Sequence, residues 1–300
     1  MSTELTREYQ RNAEVFPDTP WPDAMNRVAL AVEYQGSRYH GFQSQATGVK
    51  TVQQTLEQAL SAVADEPVTL VCAGRTDAGV HATAQVVHFD TLAARPEKAW
   101  VKGTRAQLPE DISVRWAVPV PPEFHARFSA KSRSYRYLIS DRSSYSALTH
   151  NQITWSRKKL DLVAMREAAR CLKGEQDFSS FRASQCQARS PVRTVDYIQL
   201  ARRGDLIVVE IKANAFLHHM VRNIVGVLLA IGAGERPANW MAEVLAARDR
   251  RKGGVTARPY GLYLVDVGYP ARFNLPVLSP GPLFVPEGLG ELEGSASNCA

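Results

Sequence analysis

Val68-Thr69-Leu70-Val71-Cys72-Ala73-Gly74-Arg75-Thr76-Asp77-Ala78-Gly79-Val80-His81-Ala82-Thr83-Ala84-Gln85-Val86-Val87-His88-Phe89-Asp90 is the stretch on which the fold turns. Residues 68–73 and 85–90 read as two strands, and the loop between them carries Gly74 and Gly79, which permit a tight backbone excursion. Upstream, residues 28–34 read as a strand. A Gly-containing loop (35–50) follows, then a helix opening at Thr51, with Gln54 three residues on in the capping-box pattern. Val52, Leu56, Leu60 and Val63 fall on one face of that helix. Downstream, residues 97–106 read as a helix and 112–118 alternate as a strand. The order is β-α-β-β-α-β.

The same order recurs. Residues 135–140 read as a strand, and 161–172 as a helix carrying Leu162, Met165, Ala169 and Leu172. Residues 195–200 and 206–213 form a hairpin around Arg202-Arg203-Gly204-Asp205. Helices at 218–233 and 238–247 precede a closing strand at 262–267. The expected class is α+β, with two ferredoxin-like (RRM-like) halves at residues 25–120 and 121–270. Helices should cover one side of each sheet and leave the other open, the side on which RRM-type sheets take single-stranded RNA. A polar extension (1–24) and a Pro/Gly-rich tail (271–300) are expected to lack stable structure of their own, though the apolar residues at 283–285 suit docking on the body.

The formal charge of the chain is +6. Residues 1–24 are net −3 and residues 271–300 net −2, which leaves +11 on the body. A basic body suits a polyanionic partner, although a soluble basic protein without one has the same balance. Cys72, Cys171, Cys186 and Cys299 show neither metal-ligand spacing nor a CxxC pair, so a reducing compartment is expected. The apolar run 224–233 is about half a bilayer span, and the N-terminus lacks a signal-peptide pattern. A cytoplasmic protein without membrane contact is expected.

Four segments stand out for chemistry. Asp77 would be presented on a loop held at both ends by sheet, with Arg75 able to face the same ligand; a turn aspartate that merely binds loop amides is the plain alternative. Phe124-His125-Ala126-Arg127-Phe128-Ser129-Ala130-Lys131-Ser132-Arg133-Ser134-Tyr135-Arg136-Tyr137 interleaves cations with aromatics, as where phosphates are met and bases stacked. Alternation puts Tyr135 and Tyr137 on one face and Arg136 on the other; a solvated edge strand is the alternative. In Asn214-Ala215-Phe216-Leu217-His218-His219-Met220-Val221-Arg222-Asn223-Ile224-Val225-Gly226, Arg222 sits in an apolar helix and demands an anionic partner. His218 and His219 invite a metal reading, but helical neighbours point about 100° apart and chelate poorly, so no metal is expected. Gly261-Leu262-Tyr263-Leu264 opens the last strand as core or as an apolar wall.

Together these segments resemble the TruA family of tRNA pseudouridine synthases, from about residue 28 to residue 269. GRTDAGVHA (74–82) is the most specific match. FHARFSA (124–130), the 135–137 strand, DFSSFR (177–182), HHMVRNIVG (218–226) and GLYL (261–264) follow in the family's order and spacing. Ala84 stands where glycine is frequent, and the polar N-terminal extension is unusual; neither removes a reacting group. The resemblance implies the pseudouridine synthase fold with an extended, mainly antiparallel sheet. It implies that Asp77 is the catalytic aspartate, Arg75 assists base flipping, Tyr135 stacks on the target base, Arg222 pairs with Asp77, and Leu264 is the apolar wall. It also implies tRNA contacts by Phe124, His125, Ala126, Arg127 and Phe128, and by Gln185, Cys186, Gln187, Ala188 and Arg189. The family isomerises uridines 38, 39 and 40 of the anticodon stem-loop as a homodimer. The reaction is redox-neutral and needs no cofactor. An RNA binder without chemistry would have no use for the carboxylate, and a glycosidase- or nuclease-type hydrolase would need a second carboxylate or a metal cluster.

Overall fold

The computed structural model describes residues 24–46 and 48–285. Ten strands form one sheet: β1 (Asn26–Tyr34), β2 (Val71–Cys72), β3 (His81–Thr91), β4 (Ile112–Val120), β5 (Ser132–Ser140), β6 (Thr154–Trp155), β7 (Gly174–Asp177), β8 (Val192–Arg203), β9 (Leu206–Ala213) and β10 (Leu262–Gly268). The helices are α1 (Val52–Ala64), α2 (Glu97–Gln107), α3 (Leu162–Ala169), α4 (Met220–Gly232) and α5 (Trp240–Ala247).

The strand order is β4-β1-β3-β10-β5-β9-β8-β7, with β2 beside β3 and β6 beside β5. In the first half, the first strand lies between the fourth and the third, with the second beyond the third; β10-β5-β9-β8 repeats that arrangement. The two halves share one sheet because β10 pairs parallel with β3, through Tyr263↔His81 and Leu264↔Ala82, and antiparallel with β5.

Local sequence explains most elements. Thr51 caps α1 by accepting from the Gln54 amide, and Asp161 caps α3 by accepting from Val163 and Ala164. Gly204 takes φ +57° in the hairpin turn, between the ends of β8 and β9. Three expectations shift. The strand expected at 68–73 contracts to Val71–Cys72, while its partner extends to His81–Thr91. The helix expected from residue 218 begins at Met220, because His219 takes φ +62°. The short strands β6 and β7, too brief to show a period, were not anticipated.

At β5 and β10 the apolar residues fall into two clusters, one on each face of the sheet. One contains Tyr135, Tyr137, Ile139 and Leu264 together with residues of α1, α3 and α4. The other, on the opposite side, joins Leu138, Val208, Tyr263, Val265 and Val285. The far face is therefore closed around β5 and β10 by the chain's own C-terminal segment. Arg136, buried there, pairs with Glu210 at 2.6 Å and donates to the carbonyls of Pro280 and Gly281. This corrects the expectation of an open face at the sheet centre and rules out the alternative of a solvated edge strand at Arg136. Docking of the tail is seen at Val285, whereas Leu283 remains exposed. The expectations for residues 1–23 and 286–300 lie outside the described residues. No helix among the described residues is long and apolar enough to cross a membrane.

Candidate active site

On the helix-bearing face, α1 packs with α2, and α3 packs with α4 and α5. The central strands β3, β10 and β5 meet there the loop that carries Asp77 and the start of α4. The loop is fixed by its own residues. Thr76 Oγ1 lies 2.7 Å from Tyr34 Oη, and the Thr76 carbonyl accepts from the Phe42 amide. Gln85 closes the loop's entry by accepting from Gly74 N and donating to Gly74 O. Gly79 has φ +79°, and a Cβ there would meet Pro259 and Tyr260 at 3.0 Å, so the position demands glycine twice over.

His81 holds the loop's exit. Its Nδ1 accepts from the Gly36 amide at 3.0 Å, which leaves Nε2 to donate to the Tyr260 carbonyl at 2.9 Å. Burial brings its pKa down to about 4, with the Tyr260 carbonyl opposing, so the ring is a neutral strut at physiological pH.

Asp77 meets Arg222 across this frame. Arg222 Nη1 donates to Asp77 Oδ2 at 3.0 Å, and Arg222 Nε donates to the Ala257 carbonyl at 2.9 Å. The anionic partner demanded by a guanidinium in an apolar helix is thus supplied from 145 residues away. The Asp77 side chain keeps 23% of its surface exposed, so a ligand can reach it.

Both histidines also face the carboxylate. His218 Nε2 lies 3.3 Å from Oδ1, and His219 Nε2 lies 3.4 Å from Oδ2. The two rings do not diverge as helical neighbours would, because His219 stands at the cap in the left-handed region, outside the helix. Burial lowers the His219 pKa below its ordinary value, against the pull of the Asp77 charge. A single residue's φ was the missing information; the HH pair itself was visible.

Tyr135 and Leu264 are direct register partners across β5 and β10, so their side chains share this face. Phe216 meets the Tyr135 ring edge-on at 5.0 Å. Burial raises the Tyr135 phenol pKa, Arg133 opposes, and the Asp77 charge adds to the rise, which places the hydroxyl within the field of the carboxylate. Arg75 is exposed on the same loop as Asp77.

The two outer segments divide by exposure. Phe124 and Ala126 are fully buried, Phe124 against Tyr269 and Phe273, so they support their loop and offer no surface to a ligand. His125 Nδ1 accepts from the amides of Arg127 and Phe128, and burial with nearby Arg27 and Arg127 brings its pKa to about 4. It shapes the turn as a neutral ring and does not add a cation. Arg127 and Phe128 are exposed, the guanidinium 5.3 Å from the ring centroid. In the other segment Gln185, Gln187 and Arg189 are exposed, while Cys186 and Ala188 are half-buried. Their carbonyls accept from Arg182, and Cys186 Sγ accepts from the His218 amide.

Arg133 escaped the sequence reading as an individual residue. It donates to the carbonyls of Ala73, Arg127, Ala130 and Asn214, tying together the loops that carry Asp77, Arg127 and the histidines. Its position two residues before Tyr135, on the same face of the strand, was the available signal.

A family model described as tRNA pseudouridine synthase matches residues 30–129 and 168–270. The chain is 59% identical over 270 residues to tRNA pseudouridine synthase A of Pseudomonas aeruginosa, covering 90% of this chain and 94% of that one. It is 60% identical over 253 residues to tRNA pseudouridine synthase A of Nitrosococcus oceani, covering 84% and 97%. Among solved structures, a Cbf5-Nop10-Gar1 complex is matched at a TM-score of 0.33 and 10% identity, over 79% of this chain and 57% of that one.

Proposed function

The chain belongs to the tRNA pseudouridine synthase family of isomerases, and from that premise we propose that it isomerises uridines 38, 39 and 40 in the anticodon stem-loop of tRNA with Asp77 as the catalytic carboxylate. The observation that carries this reading is the Arg222–Asp77 pair at 3.0 Å, beside Tyr135 and Leu264 on one face of the sheet.

The reaction breaks the uracil N1–C1′ bond, turns the base, and joins C1′ to C5. The C5 proton is lost and N1 gains one, so atoms and charge balance within the isomer. No oxidant, reductant or energy donor enters. What the chain must provide is a carboxylate near ribose and base, a cation that pairs with it and holds its direction, and a surface on which the detached base can turn. Arg222 pairs with Asp77 and fixes its direction from α4. Tyr135 stacks on the base, and Leu264 forms the apolar wall. Asp77 has two routes open: addition to the pyrimidine, or action at the sugar through a glycal-type path.

The target must first leave its stem, at a cost of a few kcal/mol. Arg75, exposed on the Asp77 loop, fills the space left behind. Arg127, Phe128, Gln185, Gln187 and Arg189 contact the RNA, while Phe124, His125, Ala126, Cys186 and Ala188 shape the two contact loops. We assign the active form to a homodimer that holds one tRNA between both subunits, working in the cytoplasm. The test is incubation of the purified chain with unmodified tRNA transcript, with each uridine in the anticodon arm assayed for isomerisation. Pseudouridine at 38, 39 or 40 supports the reading; cleaved RNA, or RNA bound and unchanged, overturns it.

A further inference from the structure

Nothing in the proposed reaction requires two imidazoles around the carboxylate. Yet Asp77, His218 and His219 present three metal-ligating atoms within 4.8 Å of one another. Zinc holds imidazole nitrogen and carboxylate oxygen at about 2.0–2.2 Å in a tetrahedron, which sets neighbouring donor atoms about 3.4 Å apart. His218 Nε2 lies 3.3 Å from Oδ1 and His219 Nε2 3.4 Å from Oδ2, so each imidazole already stands at that spacing from one oxygen of the carboxylate. Bringing both ring nitrogens and one carboxylate oxygen to the same spacing takes shifts of about an ångström at the side-chain tips, starting from the 4.8 Å limit. Both rings have room for it, being 39% and 30% exposed.

The donor set selects the metal. Two imidazoles and one carboxylate suit Zn2+, Co2+ or Ni2+, whereas Mg2+ and Ca2+ take oxygen ligands. Arg222 acts against a cation, since its Nη1 already holds Oδ2 at 3.0 Å. A carboxylate has about four lone-pair sites, however, so Oδ1 can ligate while Oδ2 keeps the guanidinium. The nearby positive charge weakens binding without closing the site, which makes it reversible and unlike a cofactor's seat.

We propose that Asp77, His218 and His219 form a transition-metal site that takes Zn2+ or a similar imidazole-preferring cation, and that its occupation stops the isomerisation by engaging the carboxylate. The blocking rests on the reading of Asp77 as the catalytic group; the binding does not.

Two measurements on the full chain test this. In the first, Co2+ alone is titrated without RNA and followed by visible absorption. The expected result is one equivalent bound with tetrahedral bands and no thiolate charge transfer. Asp77→Asn, His218→Asn and His219→Asn should each weaken binding at least about tenfold. Asparagine is chosen at residue 219 because it tolerates φ > 0, and each variant is checked for native circular dichroism. Absence of binding, thiolate bands, or affinity unchanged in all three variants overturns the site. In the second, the chain is loaded with one equivalent of Zn2+, desalted and mixed with tRNA transcript. Single-turnover isomerisation should slow at least about tenfold and return with a chelator; an undiminished rate overturns the block. If the metal-free chain itself leaves uridine unchanged, the proposed function fails, and the Co2+ titration still decides the site.

Discussion

Arg222 makes two directed contacts at once, Nη1 to Asp77 Oδ2 at 3.0 Å and Nε to the Ala257 carbonyl at 2.9 Å. The Ala257 amide returns a bond to the Arg222 carbonyl at 3.0 Å, so the guanidinium is anchored to the segment that leads into β10. Asp77 is thereby positioned by two elements far apart in the chain, β10's approach and α4.

Asp77→Asn keeps the shape of the side chain and removes its charge. Isomerisation should vanish while circular dichroism and tRNA affinity persist, the latter equal or slightly higher because one negative charge near the RNA is gone. A purely structural aspartate would leave turnover within about tenfold, or roughly 1.4 kcal/mol of barrier. Pseudouridine formation and tRNA binding, measured on the same folded sample, separate the two outcomes.

Tyr135→Ala should lose turnover, since stacking on a base is worth about 1–3 kcal/mol. Tyr135→Phe keeps the ring against Leu264 and Phe216 and should restore binding. Single-turnover rates of the two variants divide stacking from any work of the hydroxyl: a Phe variant as slow as the Ala variant assigns the loss to the hydroxyl, and a normal Ala variant removes Tyr135 from the mechanism.

Arg127 is exposed and carries no ion pair among the described residues, so its guanidinium is accessible to a phosphate. Arg127→Ala should weaken tRNA binding and reduce the slope of log K against log salt by about 1. Chemistry at saturating enzyme should be nearly unchanged. Normal affinity with slow chemistry would show that the residue has a different job.

Acid should destabilise the fold well above the carboxylate range. Burial lowers His81 and His125 to about 4 and holds His88 well below its ordinary value, whereas the unfolded chain protonates its histidines near pH 6.5. Between about pH 6.5 and 4 the unfolded state binds more protons, so stability falls as pH drops through that window. Asp141 contributes only below it: despite burial, Arg202 and the Leu160 amide hold it down to about 2, so its stabilisation is lost as pH falls from 3.8. Urea midpoints at pH 7.5, 6.5, 5.5 and 4.5 read the effect; a flat series down to 4.5 would contradict it.

Much of the site was legible because its chemistry is local. The Gly74–Gly79 loop announces a backbone excursion, Thr51 with Gln54 announces a helix start, and an arginine in an apolar helix announces a distant carboxylate. Element order was legible for the same reason: alternation and the 3.6-residue period are properties of short windows. The short strands β6 and β7, and the contraction of β2 to two residues, were not, since such pieces are strands only because a neighbouring strand is there to pair with.

Sequence by itself determined the succession of elements, the loop that presents Asp77, the need of Arg222 for an anion, and the shared face of Tyr135 and Tyr137. Tertiary structure decided which face that is. Alternation shows that Arg136 points away from Tyr135, but only the return of residues 280–285 across the sheet makes Arg136 buried and the far face closed. It decided likewise that Phe124 and His125 are supports, and that His219 leaves the helix to face Asp77. The reason is physical: periodicity is a one-dimensional property that groups residues by direction, whereas burial and a single φ are set by what packs on each face from elsewhere in the chain.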